Sequence, residues 1–255
     1  MSKLQEVIHR NDRILIPKRL KVQFRHGVFV KKCNLTNEKC KKVTEKIVEF
    51  SFLQAEGKKQ RPNLENSSYI RGKTQVFLDT LEGKAGELAF AMMYYKASGK
   101  HVEINLDSWD RGEYETEDFF INEKTRVQIK TAKQFSNIMM WPNANNSNKI
   151  MGKTDLLVFA RTNIVEQSIS NNNIKIINKY FLEEQEKITP YIINQLLNKS
   201  YVIEVVGFAD KEMILDAINR KELLYKDEII GKKPLRTNNN YILSIDLIKN
   251  IDFIF

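Results

Sequence analysis

Cysteine, histidine and long apolar runs are scarce in this 255-residue chain, and each scarcity excludes a class of protein. Its only cysteines, Cys33 and Cys40, are too few for the disulfide framework of a secreted protein. Two cysteines and three histidines also make a zinc site unexpected. No apolar run has the roughly 20 residues of a membrane span, and the N-terminal sequence lacks the apolar core of a signal peptide. We therefore expect a cytoplasmic protein with no membrane segment.

The chain lacks a glycine that a phosphate-binding P-loop requires. Gly-Lys-Thr occurs at 72–74 and 152–154, but a P-loop also requires a glycine five residues before the first glycine of that triplet. Ser67 and Ser147 occupy those positions, so neither triplet is a P-loop. The chain also lacks the Gly-x-Ser-x-Gly pattern of many serine hydrolases and a Cys-His arrangement for thiol catalysis.

Positive charge is concentrated in the N-terminal third. Residues 1–75 contain 18 Lys and Arg against 7 Asp and Glu, a net of +11, whereas the whole chain carries +9, so residues 76–255 carry −2. Such a basic region indicates binding to a polyanion, because neutralised phosphates supply most non-specific affinity for DNA. A solvated basic surface, or weak attraction to acidic membranes, is the alternative. The DNA contacts predicted in this region are Lys21, Arg25, Lys31 and Lys32.

One stretch, residues 81–133, organises the rest of the chain. Apolar residues recur at helical spacing from Leu81 to Tyr95, and Gly99 is a helix stop. Residues 116–121 and 126–132 then have the composition and alternation of strands, with 122–125 as the turn. A carboxylate on a helix is thus followed by a carboxylate on one strand and a Gln-x-Lys on the next.

This order resembles the PD-(D/E)XK nuclease superfamily, the fold of type II restriction endonucleases. The matching residues are Gly86-Glu87 on the helix, Asp118 on the first strand and Gln128-Ile129-Lys130 on the second. The sequence departs from the family pattern at Gln128, where Asp or Glu is usual, and at Glu117, where the family has proline. The resemblance covers roughly residues 80–215 and does not extend to the N-terminal third.

The resemblance implies a Mg²⁺ site, because Mg²⁺ binds hard oxygen ligands and retains several waters. Asp118 would be its anionic ligand, with the Gln128 amide oxygen and the Ile129 backbone carbonyl as neutral ones. Glu87 would complete the site or orient a water. Lys130 would stabilise charge that develops at the scissile phosphate. Because Gln128 replaces a carboxylate, the pattern puts a second metal ion in doubt.

The resemblance also predicts the fold class, an α/β restriction-endonuclease-like core with a central mixed sheet flanked by helices, plus a basic N-terminal extension. We place the boundary in the polar stretch 56–66, which gives an extension of 1–66 and a catalytic domain of 67–255. Within these regions, 1–10 is predicted as a short helix, 37–54 as an amphipathic helix, and 154–160 and 201–208 as buried strands. Residues 161–200 are predicted as an insertion with a strand at 174–177.

The segment 134–152 is rich in asparagine and is interrupted by Pro142, which predicts a long loop with at most one helical turn. Asparagine side chains can read adenine edges, so this loop is a candidate for base contacts, although asparagine is also a common turn former. The DNA contacts predicted in and beside it are Lys133, Asn143, Asn145 and Asn146.

The expected function is Mg²⁺-dependent hydrolysis of phosphodiester bonds in double-stranded DNA, at a specific sequence and by a homodimer. Two alternatives remain at this point: a structure-specific phage or repair nuclease of the same fold, similar to a junction resolvase, and a non-catalytic DNA-binding protein. Both nuclease hypotheses make one geometric demand. Asp118 must share a face with Gln128 and Lys130, so opposed residues of the hairpin must have an even sum of positions. We expect a sum of 248, which sets Asp118 opposite Lys130.

Overall fold

The protein is an α/β structure in which a mixed sheet is flanked by helices, which confirms the predicted class at that level. The computed structural model describes residues 4–9, 12–17, 31–34, 38–57, 72–107, 117–134, 136, 138–143, 145–164, 173–182, 202–225, 227–230, 233–234, 239–244 and 247–254.

Strands and helices are interspersed along the chain. In chain order the elements are β1 (Leu4–His9), β2 (Asp12–Pro17), β3 (Lys31–Asn34), α1 (Glu38–Ala55), α2 (Lys73–Ser98), β4 (Phe119–Ile121), β5 (Thr125–Lys133), β6 (Ile138–Pro142), α3 (Asn145–Lys153), β7 (Leu156–Thr162), α4 (Asn173–Leu182), β8 (Val202–Asp210), α5 (Lys211–Asn219), β9 (Leu223–Leu224), β10 (Ile229–Ile230), β11 (Lys233–Pro234), β12 (Asn240–Ser244) and a 3₁₀ turn (Ile251–Ile254).

The central sheet has five strands in the order β3-β8-β7-β5-β4. Only β5 and β7 run parallel, and the other neighbours are antiparallel. Three further sheets are smaller: the hairpin β1-β2, the hairpin β10-β11 and the three-stranded sheet β6-β12-β9. No helix in the described part of the chain is both long enough and apolar enough to cross a bilayer.

Side chains from the two faces of the central sheet enter two separate cores, because strand residues alternate between faces. Val127 and Ile129 of β5 pack with α1, α2 and α4, whereas Ala132 packs on the other face, against α3, α5 and the small β6-β12-β9 sheet. On β7, Val158 enters the first core and Leu157 the second. This confirms the prediction that the apolar run at 154–160 is a strand covered on both faces.

Three predicted elements are wrong. Residues 4–9 form strand β1 rather than a helix, and pair antiparallel with β2. The predicted loop 134–152 contains β6 and α3, and Pro142 is the last residue of its strand, where a missing N–H is tolerated. The predicted strand at 174–177 lies inside α4, where Ile177 and Tyr180 are buried at helical spacing.

The predicted N-terminal extension is partly built into the central sheet. Strand β3 pairs with β8, with Cys33 opposite Ile203. Helix α1 packs on α2, and Ile47, Val48 and Phe52 lie in the same core as Val127. The boundary at 66/67 lies outside the described residues, so the division into two regions stays a prediction.

The C-terminal segment packs back on β8. Phe208 and Lys249 exchange two backbone hydrogen bonds of 2.9 and 2.8 Å. Asp210 caps α5 by accepting from the Met213 N–H at 3.0 Å, and it also pairs with the Lys249 ammonium. Burial raises the pKa of the Asp210 carboxyl, but these hydrogen bonds outweigh burial, so its pKa lies below the ordinary value.

Helix α2 approaches β5 closely at Gly86. A Cβ added to Gly86 would lie 2.0 Å from Thr131 Oγ1 and 3.2 Å from Thr131 Cβ, far inside van der Waals contact. The absent side chain therefore lets the helix lie directly on the strand that carries Gln128 and Lys130.

We predict that Gly86→Ala destabilises the protein by about 1–3 kcal/mol, the usual range for overpacking a core. Thr131→Ala removes the hydroxyl that meets the new methyl group, so the double variant should recover part of that loss. Urea denaturation of the two single variants and the double variant measures this coupling. Equal stability of Gly86→Ala and the wild type would contradict the close approach.

Candidate active site

The β4-β5 hairpin places Asp118 beside the Gln-Ile-Lys segment. Phe119 opposes Val127 and Ile121 opposes Thr125, so opposed positions sum to 246. Opposed positions in the hairpin therefore have an even sum, as we predicted from the proposed site. The observed sum of 246 is smaller by 2 than the expected 248, because the three-residue loop is centred on Glu123 rather than on Lys124. The one-to-one pairing ends at Phe119 and Val127, and the Asp118 N–H donates to the carbonyl of Val127.

An unusual backbone conformation makes this odd-length loop possible. Asn122 and Glu123 have φ of 50° and 59°, in the left-handed region, which asparagine tolerates better than most residues. The Asn122 amide oxygen accepts from the Tyr94 hydroxyl at 3.1 Å and from the Lys100 ammonium at 3.3 Å. The end of α2 thus holds the loop that sets the parity of the hairpin.

The Asp118 carboxylate contacts the middle residue of the Gln-Ile-Lys segment directly. Its Oδ2 accepts from the Ile129 backbone N–H at 2.5 Å, and the Asp118 N–H donates to the Val127 carbonyl at 2.9 Å. The Val127 carbonyl and the Ile129 N–H therefore both point towards β4. Because a strand residue directs its N–H and C=O to the same side, the Ile129 carbonyl points to that side as well.

Gln128 and Lys130 lie on the face of β5 that is turned away from α2. Gln128 is buried, and Lys130 is half-buried and makes contacts of its own. The Ile129 side chain points the opposite way, into the core with α2. Asp118 lies one residue before β4, outside the paired register, and meets β5 through the hydrogen bond of its carboxylate to the Ile129 N–H.

Glu87 lies on α2, on the other side of the sheet. It is buried, and its Oε2 is 2.7 Å from the Lys84 ammonium, which is itself only 1% exposed. The ammonium also lies 5.8 Å from the centre of the Phe50 ring. Glu87 thus has a positive partner, and its role as a metal ligand or water-orienting group stays a prediction.

The neighbours of Glu87 along α2 locate it relative to Asp118. Gly86 meets Thr131, and the ring of Phe90, one turn later, lies 5.5 Å from that of Phe119. Glu87 therefore lies on the stretch of helix between the end of β5 and the start of β4. Glu87 thus belongs to the helix side of the sheet, whereas Gln128 and Lys130 lie on the opposite side.

The predicted DNA contacts are dispersed. Lys31 and Lys32 lie on β3, at the sheet edge opposite to β4, and Lys21 and Arg25 lie outside the described residues. Lys133 is exposed at the end of β5. Asn143 follows β6 and donates its backbone N–H to the Asn239 carbonyl at 2.8 Å. Asn145 and Asn146 begin α3, and their side chains are outside the described set.

The oxygen donors around Asp118 fit one hard cation. Asp118 Oδ1 accepts no hydrogen bond from the residues that the structure describes, and the Ile129 carbonyl points to the same side of β5. Within those residues, no three His, Cys, Asp or Glu side chains are grouped to hold a metal ion. One carboxylate with neutral oxygens suits Mg²⁺, which keeps several waters, better than it suits a pair of ions.

Sequence reasoning missed two side chains near this site. Lys84 was not singled out, because a lysine on an amphipathic helix is ordinarily solvated; its spacing of three residues from Glu87 was the available signal. Arg126 was not singled out either, although it precedes Gln128 by two residues and so shares its face. A comparison with protein-family models, with curated proteins and with solved structures finds no match to this chain.

Proposed function

We propose that the protein is a Mg²⁺-dependent endonuclease with a restriction-endonuclease-like core that hydrolyses phosphodiester bonds in double-stranded DNA. The observation that carries the proposal is the hydrogen bond from the Ile129 N–H to the Asp118 carboxylate. It joins the two halves of the Asp…Gln-x-Lys pattern in a hairpin whose parity is even.

Each residue of the pattern has a role in this proposal. Asp118, the Gln128 amide oxygen and the Ile129 carbonyl would hold Mg²⁺, which when bound supplies polarisation of a phosphoryl oxygen and a lower pKa for the attacking water. The Ile129 N–H orients the Asp118 carboxylate. Lys130 stabilises negative charge on the reacting phosphate, because a fixed cation there favours the transition state over the ground state. Glu87 orients water from the helix side.

Cleavage of both strands requires two such sites, and a homodimer with two-fold symmetry supplies them. The basic N-terminal third adds sequence-independent attraction to the DNA backbone. Recognition of a specific sequence is assigned to groups that reach base edges, for which Asn143, Asn145 and Asn146 remain candidates.

The test is a digest of a sequenced plasmid with Mg²⁺ or with EDTA, followed by mapping of the fragment ends. The proposal predicts discrete fragments that require Mg²⁺ and have identical flanking sequences. Cleavage confined to branched DNA would identify a structure-specific nuclease instead. Intact plasmid together with tight DNA binding would identify a non-catalytic DNA-binding protein.

A further prediction concerns the basic N-terminal third. Neutralising Lys21, Arg25, Lys31 and Lys32 together should weaken DNA binding and lower the slope of log K against log salt by a few units, since each lost phosphate contact removes roughly 0.9. Gel-shift titrations at several salt concentrations measure the slope. An unchanged slope would show that these residues face away from the DNA.

A further inference from the structure

Phe120 and Arg126 form an exposed pair one step along the hairpin from Asp118. They are register partners, and the Arg126 guanidinium carbon lies 5.6 Å from the centre of the Phe120 ring. Phe120 is 45% exposed and the Arg126 side chain 39%. By strand alternation both lie on the face of Gln128 and Lys130.

The backbone of Arg126 is anchored by Asp155. The Arg126 N–H donates to Asp155 Oδ2 at 2.9 Å, and the Asp155 N–H donates to the Arg126 carbonyl at 3.0 Å. The guanidinium therefore extends from a fixed point and rests on an aromatic ring. Such preorganisation lowers the entropy lost when an arginine binds a ligand.

The guanidinium retains its capacity to bind an anion. Among the described residues, its one acidic neighbour within 4 Å is Glu117, whose Oε2 is 3.9 Å from Arg126 Nε, too far for a hydrogen bond. Arginine presents a planar fork of donors that matches the oxygens of a phosphate. An exposed aromatic ring beside it suits a sugar or an unstacked base.

Resting on the proposed nuclease function, we propose that Arg126 and Phe120 form a binding subsite for a DNA phosphate two positions along the strand from the one that is cleaved. Residues 126, 128 and 130 follow one another on a single face at about 7 Å per step. Successive phosphates of one DNA strand are separated by a comparable step. Lys130 and Arg126 are two such steps apart, so Arg126 holds the second phosphate along the strand from the one that Lys130 faces, and the DNA strand follows β5.

The pair has an ordinary structural explanation, since cross-strand aromatic and cationic side chains stabilise hairpins. The two explanations differ in their effect on DNA. A purely structural pair affects the melting temperature but not the salt dependence of binding, whereas a phosphate contact affects that dependence directly.

The experiment measures duplex binding in EDTA, at several salt concentrations and well below the melting temperature, for the wild type, Arg126→Gln, Arg126→Lys and Phe120→Leu. Lys175→Gln is the matched control, because Lys175 is exposed on α4, on the opposite side of the sheet. Melting temperatures of all variants are recorded in parallel, and wild-type cleavage is assayed with Mg²⁺.

We expect Arg126→Gln to weaken binding roughly tenfold or more and to lower the salt slope by about 0.9, with no change in Lys175→Gln. Arg126→Lys should keep the slope but lose affinity, because lysine lacks the planar fork. Phe120→Leu should also lose affinity at an unchanged slope. If the wild type cleaves DNA while Arg126→Gln and Lys175→Gln have equal slopes, the subsite is refuted and the nuclease proposal stands. A wild type that neither binds nor cleaves DNA refutes both.

Discussion

Replacing Asp118 with alanine, or Lys130 with alanine, should abolish DNA cleavage while leaving DNA binding largely intact. Asp118 is the anionic oxygen donor in the proposed site, and Ile129 orients its carboxylate through a 2.5 Å hydrogen bond. Lys130 is the next residue of β5, and in the proposed mechanism it stabilises charge on the reacting phosphate. Loss of one charged stabilising group at such a site typically costs a factor of about 10² to 10³ in rate.

The measurement compares single-turnover cleavage of a short duplex with gel-shift binding in EDTA. Asp216→Ala and Lys175→Ala are matched controls, since both residues are exposed and lie outside the proposed site. The controls should cleave at the wild-type rate. If Asp118→Ala or Lys130→Ala also cleaves near that rate, the site is placed on the wrong residues.

The buried ion pair of Lys84 and Glu87 should give the second large effect, on stability. The two side chains are 1% and 6% exposed, so either single replacement removes a charged group 2.7 Å away from a charge that stays buried. Breaking a buried pair in this way typically costs about 3–5 kcal/mol. We therefore expect Lys84→Met and Glu87→Gln each to lower the free energy of unfolding by an amount in that range.

The double variant Lys84→Met/Glu87→Met separates stability from activity. Replacing a whole buried pair with apolar side chains is often neutral or stabilising, so this protein should fold about as well as the wild type. Urea denaturation measures the coupling in the double-mutant cycle. If Glu87 orients water in the reaction, the well-folded double variant should still cleave slowly. Wild-type cleavage by that variant would assign the pair a structural role alone.

Sequence patterns predict the elements whose apolar period is clear. Helix α2 ends where Gly99 was predicted to stop it, at a glycine with φ of 70° whose N–H donates to the Tyr95 carbonyl. The strands at β5, β7 and β8 follow from β-branched runs of strand length. Local signals fail where composition and packing disagree. Isoleucines at 174–177 favour a strand by propensity, but the spacing of Ile174, Ile177 and Tyr180 suits a helix packed on the core.

The asparagine-rich segment 134–152 is a second case in which local composition predicts the wrong structure. Its composition is typical of turns, yet Met139 and Trp141 alternate into a core with Tyr241, and this pairing with β12 makes a strand of it. The strand forms because β6 pairs with β12, about a hundred residues later in the chain, and a prediction from neighbouring residues cannot include that pairing. The antiparallel pairing of β3 with β8 could not be predicted from local sequence for the same reason.

The even parity of the hairpin was predicted from the proposed chemistry rather than from strand propensity. Common two-residue turns would have given an odd sum and turned Asp118 away from Gln128. The register itself depends on the left-handed conformation of Asn122 and Glu123 and on the hydrogen bonds to Asn122, which no pattern specified. The sequence likewise carries no signal that Lys84 would be buried against Phe50.

The most direct test of the central claim is conversion of supercoiled plasmid by the purified wild type and by Asp118→Ala, side by side, with Mg²⁺ and with EDTA. The proposed site predicts linear or fragmented DNA only for the wild type with Mg²⁺. Plasmid that stays supercoiled with the wild type and Mg²⁺, or equal conversion by the two proteins, would contradict it.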